Sequence, residues 1–145
     1  MKISTILFVS AVMLFAIGTI AVAGEIRIDS GGGTTAAYID DSGRVENASR
    51  TTIGYINSDG RVEDASRTTI GYVDFSGRVE DASRSTIGYI NSDGRVEDAS
   101  RTTVARIETG RIENASYTTL YMYTGSKDYQ VLGAYLFFFG GIGGR

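Results

Sequence analysis

The chain has 145 residues, a formal net charge of −3 and no Cys, His, Trp or Pro. Its length allows one domain, and the absence of Cys excludes disulfides as a source of stability. Lacking His and Cys, the chain has neither the commonest general base nor the usual zinc and copper ligands, so we expect no metal or other cofactor. The mild acidity argues against nucleic acid as a partner.

The N-terminus has the pattern of a secretory signal peptide. Met1-Lys2 precedes an apolar run from Ile3 to Ile20, and Ala21-Val22-Ala23 follows. We predict cleavage after Ala23, which makes the mature chain secreted, periplasmic or surface-located, with no transmembrane segment. The alternative is a retained membrane anchor, because the run is nearly long enough to span a bilayer.

Most of the remaining chain repeats one unit. Gly60-Arg-Val-Glu-Asp-Ala-Ser-Arg-Thr-Thr-Ile-Gly-Tyr72 returns almost unchanged from Gly43, Gly77 and Gly94, each 17 residues apart, and in altered form from Gly110 after 16 residues. Residues 24–126 therefore form the predicted repeat domain. An apolar, Phe- and Gly-rich tail, residues 127–145, follows it.

Each repeat predicts a β-hairpin. Short arms rich in Ile, Val, Thr and Tyr are bounded by Gly, Asn, Asp and Ser, as in strands. In the turn, Ser58 and Asp59 suit a type I turn and Gly60 suits a G1 bulge, which sets Ile56 opposite Val62. The five predicted hairpins are Ala36–Ile39 with Arg44–Asn47, Ile53–Ile56 with Arg61–Asp64, Ile70–Val73 with Arg78–Asp81, Ile87–Ile90 with Arg95–Asp98, and Val104–Ile107 with Arg111–Asn114.

Side-chain alternation assigns two faces to each hairpin. If Ile56 faces the core, Gly54 shares that face and Tyr55 lies on the other. We expect Gly54, Gly71 and Gly88 where the hairpins converge and leave no room for a side chain.

The two ends of the repeat region hold half-units. Ile26–Asp29 matches a second strand, and Leu120–Tyr123 matches a first strand. Their pairing would close a ring and hide both sheet edges. The predicted fold is all-β, a closed, pseudo-symmetric, propeller-like array of about five hairpins, or six units with the closure. The alternative is a β-solenoid with two strands per coil. The tail is predicted to be a last strand or a plug buried against the ring.

The repeated Gly-Arg-Val-Glu-Asp-Ala-Ser-Arg-Thr-Thr-Ile-Gly-Tyr, the Ser-Asp-Gly turns, the signal peptide and the Phe-rich end resemble the bacterial five-fold β-flower proteins. The resemblance covers roughly Glu25 to Phe139. It implies a small exported protein built from hairpins, of a family with uncharacterised function. It implies no catalytic residues.

Two carboxylate series are candidates for chemistry. A calcium loop starting at Asn57 would need Glu at its twelfth position, where Thr68 stands, so the turn Asp and Asn residues are interpreted as turn formers. Five equivalent Glu residues suit catalysis poorly, because an acid and base pair needs different environments. We expect cross-strand pairing with Arg on exposed strands, and no enzymatic activity. The Glu residues are Glu46, Glu63, Glu80, Glu97 and Glu113, and the Arg residues are Arg44, Arg61, Arg78, Arg95 and Arg111.

A ring of Tyr with Arg in the links is the candidate ligand-binding site: Tyr38, Tyr55, Tyr72, Tyr89, Arg50, Arg67, Arg84 and Arg101. Such residues can bind sugars or anions, but half-buried packing of Tyr between the hairpins is the preferred interpretation of the ring. The predicted function is an exported, non-enzymatic structural or interaction module, whose partner would be a glycan or another exported protein. Carbohydrate binding through the Tyr and Arg positions is the alternative.

Overall fold

The computed structural model describes residues 24–142, so the predicted signal peptide lies outside the described residues. Within this range, twelve strands precede one helix. The elements are β1 Ile26–Ser30, β2 Thr35–Ile39, β3 Arg44–Asn47, β4 Thr52–Ile56, β5 Arg61–Asp64, β6 Thr69–Val73, β7 Arg78–Asp81, β8 Thr86–Ile90, β9 Arg95–Asp98, β10 Thr103–Glu108, β11 Arg111–Asn114, β12 Thr119–Thr124 and α1 Tyr129–Phe138.

The strands form one closed ring in which each pairs antiparallel with the strands before and after it. The predicted cross-strand pair is confirmed, because Ile56 lies opposite Val62. The fifth hairpin keeps this register despite its shorter turn, with Ile107 opposite Ile112. The predicted hairpin fold is therefore confirmed, and the solenoid alternative is wrong.

The two half-units pair as predicted. β1 lies antiparallel to β12, and Ile28 faces Tyr123 where a continuous hairpin would have its Ile–Val pair. The ring thus contains five continuous hairpins and a sixth strand pair made by the two ends of the repeat region. Closure satisfies strand edges that would otherwise be open to aggregation.

The turns also join one hairpin to the next. Gly60 has a φ of +85°, the left-handed conformation required at a G1 bulge. Its N–H donates to the Asn57 carbonyl at 2.9 Å, and its own carbonyl accepts the Val73 N–H of the next hairpin at 2.8 Å. A local turn residue therefore fixes the packing between repeats.

The apolar tail folds as helix α1, which fills the inside of the ring. Asp128 caps it by accepting the N–H groups of Gln130 and Val131. Seven consecutive residues, 131–137, are buried, so every face of the helix is covered. The plug prediction is confirmed and the strand option is wrong. A segment that is apolar all round has no periodic stripe, so its pattern does not separate helix from strand.

The glycines facing the core are crowded by this helix. A Cβ on Gly54 would lie 2.5 Å from the Phe139 ring and 2.5 Å from the Glu63 carbonyl oxygen. Gly71 and Gly88 meet the rings of Phe138 and Phe137 in the same way. The expected lack of space is confirmed, and it has two causes. The backbone of the paired strand lies against each glycine, and consecutive phenylalanines of the tail occupy the space in front of consecutive repeats.

The core therefore has two layers, the inward Ile and Val residues of the strands and the apolar residues of α1. Tyr135, on the helix, is almost fully buried, and burial raises its pKa to about 12. No helix within residues 24–142 has the length and apolar character to cross a membrane.

Candidate functional site

The eight predicted Tyr and Arg residues form four stacked pairs, which we call the arginine–tyrosine belt. In each pair, the central guanidinium carbon lies 3.2–3.4 Å from the centroid of the tyrosine ring. The tyrosine lies on the first strand of a hairpin, and the arginine lies in the link that follows the second strand of the same hairpin. The pairs are Tyr38 with Arg50, Tyr55 with Arg67, Tyr72 with Arg84, and Tyr89 with Arg101.

The link directs the arginine back over its own hairpin. Asp64 accepts the N–H groups of Ser66 and Thr68 through one carboxylate oxygen, at 2.8 and 2.9 Å. Between them, Arg67 has a φ of +66°, a conformation that costs energy for any residue except Gly. The tight link sets Arg67 above Tyr55, and the stacking contact offsets part of this backbone strain.

A buried carboxylate lies beside each stacked pair. Glu63 is 4% exposed and lies opposite Tyr55 in the hairpin. Its carboxylate accepts the Asn57 side-chain amide at 3.1 Å and pairs with Arg67 at 3.1 Å and Arg61 at 3.3 Å. The Asn57 hydrogen bond, followed by the contacts of the two arginines, lowers the pKa of Glu63 despite its burial.

The predicted role of the glutamates therefore needs correction. They do pair with the first arginine series, but Arg61 and Glu63 are two residues apart on the same strand, and the carboxylate is buried rather than exposed. Each carboxylate of the first four hairpins also bonds the link arginine. Side chains two apart on a strand share a face, and the covering Arg and Tyr groups exclude water.

The fifth hairpin has a looser arginine–tyrosine contact in which the two residues are exchanged. Arg106 occupies the tyrosine position and Tyr117 the link position, and the guanidinium carbon lies 5.3 Å from the ring centroid. Tyr117 also takes the link conformation, with a φ of +62°. Sequence reasoning missed this pair; the signal that could have found it was the opposite substitution at the two positions within one unit.

The sixth unit lacks the contact. Met122 holds the tyrosine position and is 51% exposed. Gly33 holds the link position with a φ of +83° and needs no stacking partner for this conformation. The four pairs of the belt are therefore followed by one exchanged pair outside it, and the unit formed by β1 and β12 has no pair.

The acidic turn residues bond their own turns. Asp40 accepts the Ser42 hydroxyl at 2.6 Å and the Arg44 N–H at 3.0 Å. Burial alone would raise its pKa, but the Ser42 and Arg44 hydrogen bonds outweigh burial and lower it. Among residues 24–142, no group of three or more acidic side chains is placed to hold a metal ion.

The belt leaves hydrogen-bond donors facing solvent. The Arg67 side chain is 57% exposed and uses one terminal N–H group on Glu63. A planar guanidinium carries five N–H donors and pairs well with carboxylates through two parallel bonds. One face of each tyrosine ring is covered by the guanidinium. Arg50 differs, because both of its terminal nitrogens already donate to Glu25. The arrangement therefore presents free guanidinium donors, supported by tyrosine, at Arg67, Arg84 and Arg101.

A closed ring of antiparallel hairpins around a buried helix defines a repeat-built, all-β protein. The family model described as 5-fold beta-flower protein matches residues 25–139. The chain belongs to this family, which confirms the resemblance. Comparison with curated proteins gave no match. Comparison with solved structures also gave none.

Proposed function

We propose that the chain is an exported, non-enzymatic interaction module that binds a carboxylate-bearing surface of another exported protein through the arginine–tyrosine belt. The observation that carries this proposal is the fourfold repetition of one stacked pair, with arginine side chains 50–61% exposed. Repeated weak contacts on one rigid frame strengthen each other through effective concentration.

The pre-ordered state of the arginines supports a binding role. Stacking on Tyr55 and pairing with Glu63 hold Arg67 in one position. Less side-chain freedom is then lost when a partner binds, and this loss is a main cost of association. The buried glutamates reduce the positive charge without using all of the guanidinium donors.

The glutamates support a non-enzymatic role. They recur in equivalent surroundings, and four of them are held by two arginines each. General acid and base catalysis needs two groups with separated pKa values. A repeated and neutralised carboxylate is suited to holding arginines in place.

Carbohydrate binding at the belt is less well supported. A sugar that stacks on Tyr55 needs an open ring face, but the Arg67 guanidinium lies 3.3 Å from that ring's centroid. Hydrogen bonds from the arginines to an acidic polysaccharide remain the route for this alternative.

Binding to immobilised poly-glutamate tests the belt directly. We expect salt-sensitive binding that weakens at least tenfold when Arg50, Arg67, Arg84 and Arg101 are all changed to Gln. The matched control changes Arg44, Arg61, Arg78 and Arg95 to Gln, which removes the same charge from side chains that are 42–48% exposed. Equal losses in both variants would indicate general charge attraction and contradict the belt as the site. A glycan array run beside it checks the carbohydrate alternative.

Export is tested by expression in a bacterium with residues 1–145 and with residues 24–145. We expect the longer chain outside the cytoplasm, with a mature N-terminus at Gly24 by mass spectrometry. An uncleaved chain in the membrane fraction would support the anchor alternative.

A further inference from the structure

A second candidate site lies at the turn end of the ring, where helix α1 begins. Two hairpin turns, residues 74–77 and 91–94, and the segment 127–130 enclose a cavity of about 340 Å³ that opens to solvent. This volume lies at the lower end of the range for small-ligand sites, roughly 300–1,000 Å³. We call it the turn-end pocket; it shares no residue with the arginine–tyrosine belt.

One residue at this pocket breaks the repeat. Phe75 stands at a turn position that holds Asp41, Ser58 and Ser92 in the other four-residue turns. It is 65% exposed, so core packing does not explain an aromatic residue here. Its carbonyl accepts the Gln130 side-chain amide at 3.1 Å, which fixes this turn against the start of the helix.

Polar groups with unused bonding capacity line the same pocket as Phe75. The Asn91 amide nitrogen donates to the Arg95 carbonyl at 3.1 Å, and its oxygen is left to accept. One oxygen of Asp128 caps the helix, and the other has no partner among residues 24–142. Lys127 supplies an ammonium group 5.1 Å from the centroid of the Tyr129 ring.

This combination has the chemistry of sugar recognition. The negative face of an aromatic ring attracts the polarised C–H groups on one face of a pyranose. Sugar hydroxyls both donate and accept hydrogen bonds. They therefore match the carboxylate, amide oxygen and ammonium groups that line this pocket. The charges of Lys127 and Asp128 cancel, which favours a neutral ligand over an anionic one.

We propose that the turn-end pocket binds a neutral pyranose, stacked on Phe75 and hydrogen-bonded by Asn91, Lys127 and Asp128. The Tyr positions of the belt have no part in this site. Sugar binding here is therefore independent of the proposed contact with an acidic protein.

The experiment is a titration of the ¹⁵N-labelled mature chain with the methyl glycosides of glucose, galactose and mannose, followed by two-dimensional NMR. We expect saturable shifts at Phe75, Asn91 and Lys127 with at least one of them. Phe75→Ser restores the residue found in two other turns, so the fold should survive, and it should weaken binding at least tenfold. Tyr117→Ser, which removes an aromatic residue of similar exposure, is the control and should leave binding unchanged.

Two results would overturn a sugar site in this pocket, and a third would overturn the neutral class of its ligand. One is the absence of saturable shifts at these residues with all three glycosides. The other is binding that Phe75→Ser leaves unchanged. A parallel titration with methyl glucuronide distinguishes the ligand's charge: an affinity for the glucuronide tenfold above that for the neutral glycosides, lost in Lys127→Gln, would overturn the neutral class. The variant with all four belt arginines changed to Gln should bind the neutral sugar normally. Loss of sugar binding at the pocket and loss of acidic-partner binding at the belt can therefore be distinguished.

Discussion

Arg67 stacks on Tyr55 with its guanidinium carbon 3.3 Å from the ring centroid, while the same group donates to Glu63 at 3.1 Å. The arginine contributes both contacts from a left-handed backbone position. A double-mutant cycle between Arg67 and Tyr55 should therefore show a coupling energy of about 1 kcal/mol in urea unfolding.

The control cycle pairs Arg67 with Tyr72, which stacks on Arg84 instead. These two changes should be additive within about 0.5 kcal/mol. Equal coupling in both cycles would contradict a specific stacking contact.

Arg67→Gly should cost less stability than Arg67→Ala, because Gly adopts the link conformation without strain.

The exchanged pair of the fifth hairpin predicts reciprocal rescue. Arg106→Tyr and Tyr117→Arg should each lower the unfolding free energy by about 1 kcal/mol, since each replaces an arginine–tyrosine contact with two like groups. The double variant restores the order of the other hairpins and should recover wild-type stability within about 0.5 kcal/mol. Urea denaturation of all four proteins decides this. Additive losses would mean that the exchange has no structural meaning.

Space in front of the inward glycines is filled by the helix. Gly54→Ala places a methyl group within 2.5 Å of the Phe139 ring and the Glu63 carbonyl, so it should cost about 1–3 kcal/mol. Gly32→Ala is the control, because the nearest atom to its Cβ would be the Ser30 hydroxyl at 3.8 Å. Thermal unfolding should show a lower Tm for the first variant and an unchanged Tm for the second. Equal Tm values would argue against tight packing of the helix on the strands.

Helix α1 should be essential for the ring. Leu136 is fully buried, and its change to Ala should cost about 2–5 kcal/mol. Met122→Ala, at a half-exposed position on β12, should stay within about 0.5 kcal/mol of the wild type. Deletion of residues 129–145 should abolish the cooperative unfolding transition, as measured by circular dichroism. A deletion variant with an unchanged melting curve would show that the ring is stable without its helix.

The lowered pKa of Glu63 predicts an acid-dependent loss of stability. Its ordinary pKa is 4.5, so its ionised contacts stabilise the fold fully above pH 4.5 and are lost as the pH falls through the lower folded-state pKa. Asn57→Ala removes the largest cause of this shift. The stability difference from wild type should be greatest near pH 7 and shrink below pH 4.5.

Asn91→Ala is the control for this titration. Asn91 occupies the same turn position, but its amide bonds only the Arg95 carbonyl. Its effect on the unfolding free energy should therefore change little between pH 7 and pH 3. A pH-independent difference for Asn57→Ala as well would contradict the proposed link between Asn57 and Glu63.

Most residues of the candidate site could be identified from the sequence, but their arrangement in space could not. The repeat spacing identified the tyrosines and link arginines, because each returns at one position of the unit. Their stacking depends on the left-handed conformation at Arg67, and no residue type in the link requires it. Phe75 was part of a predicted turn, and the pocket beside it forms only when segment 127–130 arrives from the far end of the chain.

The hairpins, their register and the closure of the ring can all be predicted from the residues. These features depend on nearby residues: Gly60 accepts the bulge conformation, Ile56 and Val62 alternate into one face, and matching half-units stand at the two ends. The helical conformation of the tail depends instead on tertiary packing, because a uniformly apolar segment suits any buried conformation and only the space inside the ring selects one. The burial of Glu63 also depends on tertiary packing. A charged residue type predicts an exposed side chain, and only the surrounding arginines and tyrosine allow this carboxylate to be buried.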